Sequence, residues 1–166
     1  MTAASLPSPP PRWSVSDTAS LVARIVIGAL FIYMGINKAL HPVEFLKLVR
    51  QYDVLHHHMA LNLVAATLPW FEILCGLLLV LGVAVRGTAL MLVAMLAAFT
   101  ILIFLRAVAL QKVGELAFCA IKFDCGCGAG EVFVCRKLAE NVLLLALSTW
   151  LMLRPASRLS LRHSLA

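Results

Sequence analysis

Four of the five cysteines in this chain fall between Cys119 and Cys135, in the run CAIKFDCGCGAGEVFVC, which also carries Gly126, Gly128 and Gly130. Thiols gathered in this way can exchange disulfides, hold a soft metal, or pair as an inert staple. The Cys125-Gly126-Cys127 spacing favours exchange. Two cysteines one residue apart reach disulfide distance only where the backbone bends, and glycine permits that bend at low steric cost. A bridge of that kind is strained and readily reduced, and labile disulfides are the ones that turn over. A staple closes a longer loop, as Cys119 with Cys135 could. Structural zinc prefers two to four residues between paired ligands, so Cys-x-Cys fits it less well and no metal site is assigned. Cys125 and Cys127 are therefore the candidate catalytic pair, with Cys119 and Cys135 as a candidate relay or as the staple. Cys75 stands alone in an apolar run and reads as a packing residue.

A second set of residues is polar where its surroundings are not. Arg24, Gly28, Phe31, Gly35 and Lys38 fall at offsets of 0, 4, 7, 11 and 14, one stripe of a helix whose glycines would admit a close neighbour. Pro69, Glu72 and Gly76 share a face of the next apolar run. Ionisable groups at membrane depth are costly and mark interiors or cavities, so Arg24 and Glu72 are candidate intramembrane polar sites. Counted from Leu61 at about 1.5 Å per residue, Glu72 lies roughly 16 Å into its span, too deep to meet Lys38 at the border of the first without a tilted or broken helix. Its partner is left unnamed. Asn37, Lys38, Arg106, Glu140 and Asn141 fall near the level of the cysteine loop, where a Lys38–Glu140 or Arg106–Glu140 pair is expected. Lys38, Arg106, Glu140 and Asn141 would form the mouth of a pocket for a quinone headgroup or a partner's cysteine-bearing segment.

The elements that must position these groups follow from composition. Of 166 residues, 62% are hydrophobic and only 13% charged, with a mean hydropathy of +0.96. Soluble domains carry roughly 45–50% apolar and about 25% charged residues, so the lipid bilayer is the expected solvent, and disordered or disulfide-knot classes are excluded. A span needs about 20 mostly apolar residues. Four runs qualify, at about 19–40, 61–85, 88–110 and 136–153, giving an all-α fold: a four-transmembrane-helix bundle occupying residues 17–153. Between the first two runs, Pro42 opens a segment in which Val43, Phe45, Leu46, Val49 and Tyr52 alternate with Glu44, Lys47, Arg50 and Gln51, a short interfacial amphipathic helix. Residues 1–16 read as a disordered tail with no cleavable signal, and 154–166, with Arg154, Arg158 and Arg162, as a basic tail beside anionic headgroups. His56-His57-His58 point in different directions on a helix and read as a headgroup-level cluster without a ligand role. The net charge of +6 is spread around the spans, and no nucleotide loop, Ser/His/Asp order or nucleic-acid face appears.

Lys and Arg are divided too evenly between the two sides to orient the bundle. Persistent disulfide chemistry belongs in an oxidising compartment, so the cysteine loop is expected on the periplasmic face of a bacterial inner membrane, with both termini cytoplasmic.

Arg24 to Gly28 with Asn37-Lys38 in the first run, Pro69-Trp70-Phe71-Glu72 with Gly76 in the second, and Asp124-Cys125-Gly126-Cys127-Gly128 followed by Arg136 and Asn141 resemble the DoxX-like membrane proteins, in particular the MauE branch associated with methylamine utilisation. The resemblance extends from about Ser20 to Leu153. It implies a four-helix bundle that assists maturation of a disulfide-rich periplasmic client, such as a subunit of the methylamine-dehydrogenase type, with Cys125 and Cys127 as the redox pair and Lys38 and Glu72 as intramembrane polar positions. The expected activity is that of a membrane thiol-disulfide oxidoreductase, with a quinone as candidate acceptor. The alternative is a non-catalytic subunit or carrier that binds a quinone or other small molecule and uses its cysteines structurally or for metal.

Overall fold

The computed structural model describes residues 15–52, 57–114, 117–124 and 130–153. Five helices dominate: α1 (Val15–Leu40), α2 (Pro42–Gln51), α3 (His58–Leu81), α4 (Val85–Gly114) and α5 (Val134–Leu153). Between α4 and α5 lie a 3-10 turn at Phe118–Ala120 and two short strands, β1 (Lys122–Asp124) and β2 (Glu131–Phe133).

Helices α1 and α3 run antiparallel in backbone contact, because the facing positions are glycine. A Cβ added at Gly28 would lie 2.8 Å from the Gly76 carbonyl oxygen, and one at Gly35 would lie 2.7 Å from that of Pro69. Small residues are what allow helices to meet where lipid gives no hydrophobic drive to association. The buried stripe of α1 is Ser20, Arg24, Ile27, Gly28, Phe31, Gly35 and Lys38, and it contains every residue of the stripe read from the sequence. Helix α3 stops at Leu81, short of the expected Val85, because Gly82 takes a left-handed conformation with φ 74°. There Gly82 N–H bonds Leu79 O and Val83 N–H bonds Leu78 O, the paired bonds of a Schellman end.

The main core joins Ile27 and Phe31 of α1, Cys75 and Leu79 of α3, Ala89, Leu92 and Leu96 of α4, and Leu151 of α5. Large apolar side chains also cover the outside, among them Tyr33, Leu63, Trp70, Ile101, Phe104 and Leu143. An exterior this apolar suits lipid and not water.

Three of the helices, α1, α3 and α4, are long and apolar enough to cross a membrane. The expected fourth span does not reach that standard: Arg136, Lys137 and Glu140 occupy its first two turns, and the uninterrupted apolar part runs only from Val142 to Leu153. Helix α2 forms as the sequence predicts, opened by Pro42 and burying Phe45. The N-terminal helix starts at Val15, inside the stretch assigned to a disordered tail. The rest of that tail, His56 and the basic segment 154–166 lie outside the described residues, whereas His57 and His58 are exposed.

The purely helical expectation also needs correction at the cysteine loop. Strands β1 and β2 pair antiparallel, with Lys122 opposite Phe133, Phe123 opposite Val132 and Asp124 opposite Glu131. The strands are three residues each, too short for an alternating pattern to stand out. Two anchors hold the hairpin to the bundle. Cys119 and Cys135 form a disulfide between the 3-10 turn and the first turn of α5. Phe123 and Val132 pack with Tyr52, Phe99 and Leu138 around the buried Ile103.

Candidate functional site

Lys38, in the last turn of α1, forms a buried ion pair with Glu72 of α3, each side chain 6% exposed. The pair corrects the expectation that Glu72 lies too deep. Depth counted from Leu61 misleads, because the first turns of α3 run past the end of α1 and pack beside α2. The register is set by the Gly28–Gly76 and Gly35–Pro69 contacts, which bring Glu72 within reach of the four-carbon lysine stem. The Lys38 ammonium also sits 5.4 Å from the Phe45 ring centroid and 5.9 Å from that of Phe99, so aromatic faces replace part of its lost water.

Next to this pair is a cavity of about 380 Å³ walled by α1, α2, α3, α4 and α5. Its lining is apolar and aromatic, including Phe31, Phe45, Tyr52 and Phe99, apart from Lys38, Glu72, Lys137 and Asn141. Two side-chain atoms of these residues, Glu72 Oε2 and Asn141 Nδ2, are closed off from the cavity and have no hydrogen-bond partner among the described residues. Their residues are 5% and 2% exposed. Buried polar atoms in this state are uncommon and need an explanation.

Lys38 also lines a second, more polar recess of about 250 Å³ with Asn37, His41, Glu44, Asp124 and Gly130. Asp124 closes β1 and Gly130 precedes β2, so the ends of the connection that carries the Cys-Gly-Cys border this recess. Cys125 and Cys127 themselves lie outside the described residues. Cys119 and Cys135 are bonded to each other, the arrangement of a staple.

The remaining candidates separate. Glu140 pairs with neither Lys38 nor Arg106. It accepts from Arg136 Nε at 3.1 Å and Lys137 Nζ at 3.4 Å, partners one turn away on its own helix. Arg106 is half-buried on α4 and does not line the cavity. Arg24 is fully buried at the opposite end of the bundle, where its Nε donates to Leu79 O at 3.1 Å. A cation beside the last carbonyls of α3 is favourable, and this gives Arg24 a structural role as a cap. Cys75 is a free, buried member of the core.

Sequence reasoning overlooked Lys137 and the aromatic lining. Lys137 is 7% exposed and shares a buried stripe with Val134, Asn141, Ser148 and Leu151, a helical spacing that was available to be read. Phe45 and Phe99 looked like ordinary apolar residues; only the fold brings them over the same ammonium. No group of three or more His, Cys, Asp or Glu able to hold a metal occurs among the described residues.

No curated protein and no solved structure matches the chain. A family model does: the model described as methylamine utilisation protein MauE matches residues 16–154, a range that spans all five helices and the cysteine hairpin, and the chain belongs to that family.

Proposed function

We propose that this MauE family protein catalyses thiol-disulfide exchange at the outer face of the bacterial inner membrane, with Cys125 and Cys127 as the exchanging pair. The observation that carries this reading is the hairpin. A disulfide and a small apolar core pin its base to the bundle, and its thiol-bearing connection starts and ends at a recess that shares Lys38 with the large cavity. A rigid base holding reactive groups on a short connection is how scaffolds commonly present chemistry.

In the exchange, a client thiolate attacks one sulfur of the Cys125–Cys127 disulfide, forms a mixed disulfide and expels the other sulfur as thiolate. A second client thiol then displaces the mixed disulfide, leaving the client oxidised by two electrons and the pair as a dithiol. Return to the disulfide releases two electrons and two protons, which a quinone takes up as it becomes a quinol. Cys119 and Cys135, bonded to each other, hold the hairpin in this reading. The client class is a periplasmic protein rich in disulfides, such as a methylamine-dehydrogenase-type subunit.

The topology that goes with this function has four crossings and cytoplasmic termini. Helix α5 supports it in spite of its charges: Met152 and Leu153 at its end border Arg86, Gly87 and Leu90 at the start of α4, so α5 traverses the bundle from the hairpin to the opposite end. Its 20 residues span about 30 Å, the thickness of the hydrocarbon core.

Cys127→Ser and Cys125→Ser variants test the reading. One of them is expected to accumulate a mixed disulfide with a client, seen as a band on non-reducing gels that disappears with dithiothreitol. Absence of any adduct in both, with client oxidation unchanged in the double variant, would reject exchange. The cavity favours a second reading, a carrier or non-catalytic subunit. That reading predicts a protein indifferent to both cysteine changes but inactivated by Lys38→Ala.

A further inference from the structure

Helix α4 serves as a depth scale for the cysteine hairpin. It carries no charged residue between Arg86 and Arg106, and the 20 positions that separate them make about 30 Å of helix, the thickness of the hydrocarbon core. The helix continues to Gly114, about 12 Å beyond Arg106, before the chain doubles back. Phe118 then returns to Phe104, the two ring centroids 6.0 Å apart. Ile121 and Val134 pack with Ala107, and Phe123 and Val132 pack around Ile103. The hairpin therefore stands level with the turn of α4 that holds Arg106, and not out in the water beyond Gly114.

Strand register decides what faces lipid at that level. Phe123 and Val132 turn toward the bundle, so Lys122 and Phe133, opposite each other one position along, turn away from it. Phe133 is 45% exposed, and the Lys122 ammonium lies 4.7 Å from its ring centroid. Phe104 is exposed beside Ile101 and Leu105 on the outer surface of α4, so Phe118, packed on it, continues that lipid-facing surface. Non-helical backbone at membrane depth has to be covered by protein or border a watery space. The hairpin has both, the bundle core behind Phe123 and the polar recess at Asp124 and Gly130. The exposed Arg136–Glu140 pair, in the first two turns of α5, limits the depth of this zone to the headgroup boundary.

We propose that the outer face of the hairpin is a membrane-contact surface, with Phe118 and Phe133 entering the headgroup–acyl boundary of the adjoining leaflet and Lys122 meeting lipid phosphate. Aromatic rings favour that boundary, and a lysine whose stem lies along apolar surface directs its charge to anionic headgroups. The contact holds whatever chemistry the cysteines carry. Under the thiol-exchange reading it adds that a client is met at the bilayer surface.

The test uses the full chain, without client, in vesicles of phosphatidylcholine and phosphatidylglycerol. A Trp13→Phe/Trp70→Phe/Trp150→Phe background leaves each variant a single tryptophan. The probes are Phe133→Trp and Phe118→Trp, with Leu105→Trp as the lipid-facing reference and Lys112→Trp, about 9 Å beyond Arg106, as the aqueous one. Both probes should emit to the blue of Lys112→Trp and resist acrylamide. They should also lose more emission to lipids brominated near the headgroup end of the chains than to lipids brominated near the terminal methyl. Emission as red and as acrylamide-sensitive as that of Lys112→Trp would overturn the proposal. So would a blue emission that bromine leaves untouched, or one that is lost as the protein is diluted with lipid, since a second copy of the chain would then cover the rings. Phe133 is exposed and accepts the larger ring, so Phe133→Trp decides the matter where Phe118→Trp disturbs the Phe104 contact. Adding Lys122→Glu to Phe133→Trp should weaken the bromine quenching, and unchanged quenching would overturn the phosphate contact.

Discussion

Lys38 and Glu72 pair across the α1–α3 interface, each side chain only 6% exposed. Such a pair contributes little net stability, because desolvation consumes most of the Coulomb gain, but a partner left alone is expensive. Lys38→Met or Glu72→Leu alone should therefore destabilise the protein by about 3–5 kcal/mol, and the double substitution should recover most of that loss. A double-mutant cycle on thermal unfolding in detergent measures this. Equal, additive losses would show that the two side chains do not depend on each other.

The glycine contacts predict a contrast between two positions. At Gly35 a methyl group would meet the Pro69 carbonyl oxygen at 2.7 Å, a backbone atom that cannot swing aside. Gly35→Ala should push α1 from α3 and cost about 1–3 kcal/mol. Gly87, at the start of α4, has nothing within 4 Å of an added Cβ, so Gly87→Ala should be neutral or gain up to about 1 kcal/mol through helix propensity. Thermal shift of the two variants side by side provides the check, and a similar loss at both would remove backbone contact as the cause.

These results show where the sequence was readable. The α1 stripe was legible because helical periodicity alone aligns Arg24, Gly28, Phe31, Gly35 and Lys38, and its glycines forecast the close neighbour. The partner of Lys38 was not, because inter-helix register depends on which carbonyls the glycines meet, and no count along one chain supplies it. The Glu140 pairing differs for a related reason: partners one turn away on the same helix outcompete distant ones. The hairpin escaped notice because three-residue strands carry too little pattern, although the loop-closing Cys119–Cys135 pairing was among the alternatives the spacing left open.

The Cys119–Cys135 bond closes a sequence separation of 16 residues around the hairpin. Constraining a loop of that size is worth about 3 kcal/mol in the chain-entropy account. Cys119→Ser/Cys135→Ser should thus leave the helices intact but loosen the strands. Hydrogen exchange at Lys122–Asp124 and Glu131–Phe133 should accelerate by about 100-fold, the equivalent of a 3 kcal/mol loss when opening is local. Client trapping by Cys127→Ser should weaken in the same background, since the base of the thiol-bearing connection is no longer held. Unchanged exchange in the strands would mean that the Phe123 and Val132 packing suffices without the bond.

The last prediction concerns α5, whose charged first turns set it apart from the three apolar helices. Arg136 and Glu140 are paired and face outward at the hairpin end, where long side chains can reach the headgroup level, and the apolar stretch Val142–Leu153 fills the remaining depth. If α5 crosses, the Arg86 turn and the C-terminus share one side of the membrane and the hairpin lies on the other; in the proposed orientation these are the cytoplasm and the periplasm. In a background with Cys119, Cys125, Cys127 and Cys135 changed to serine, an impermeant maleimide applied to intact spheroplasts should label Lys122→Cys and spare Arg86→Cys. A green fluorescent protein fused after Ala166 should fluoresce, since it folds in the cytoplasm. Labelling at Arg86→Cys instead would invert the bundle and place the thiols in a reducing compartment. A dark fusion with the expected maleimide pattern would mean that α5 returns along the outer surface and that three crossings suffice to bury the Lys38–Glu72 pair.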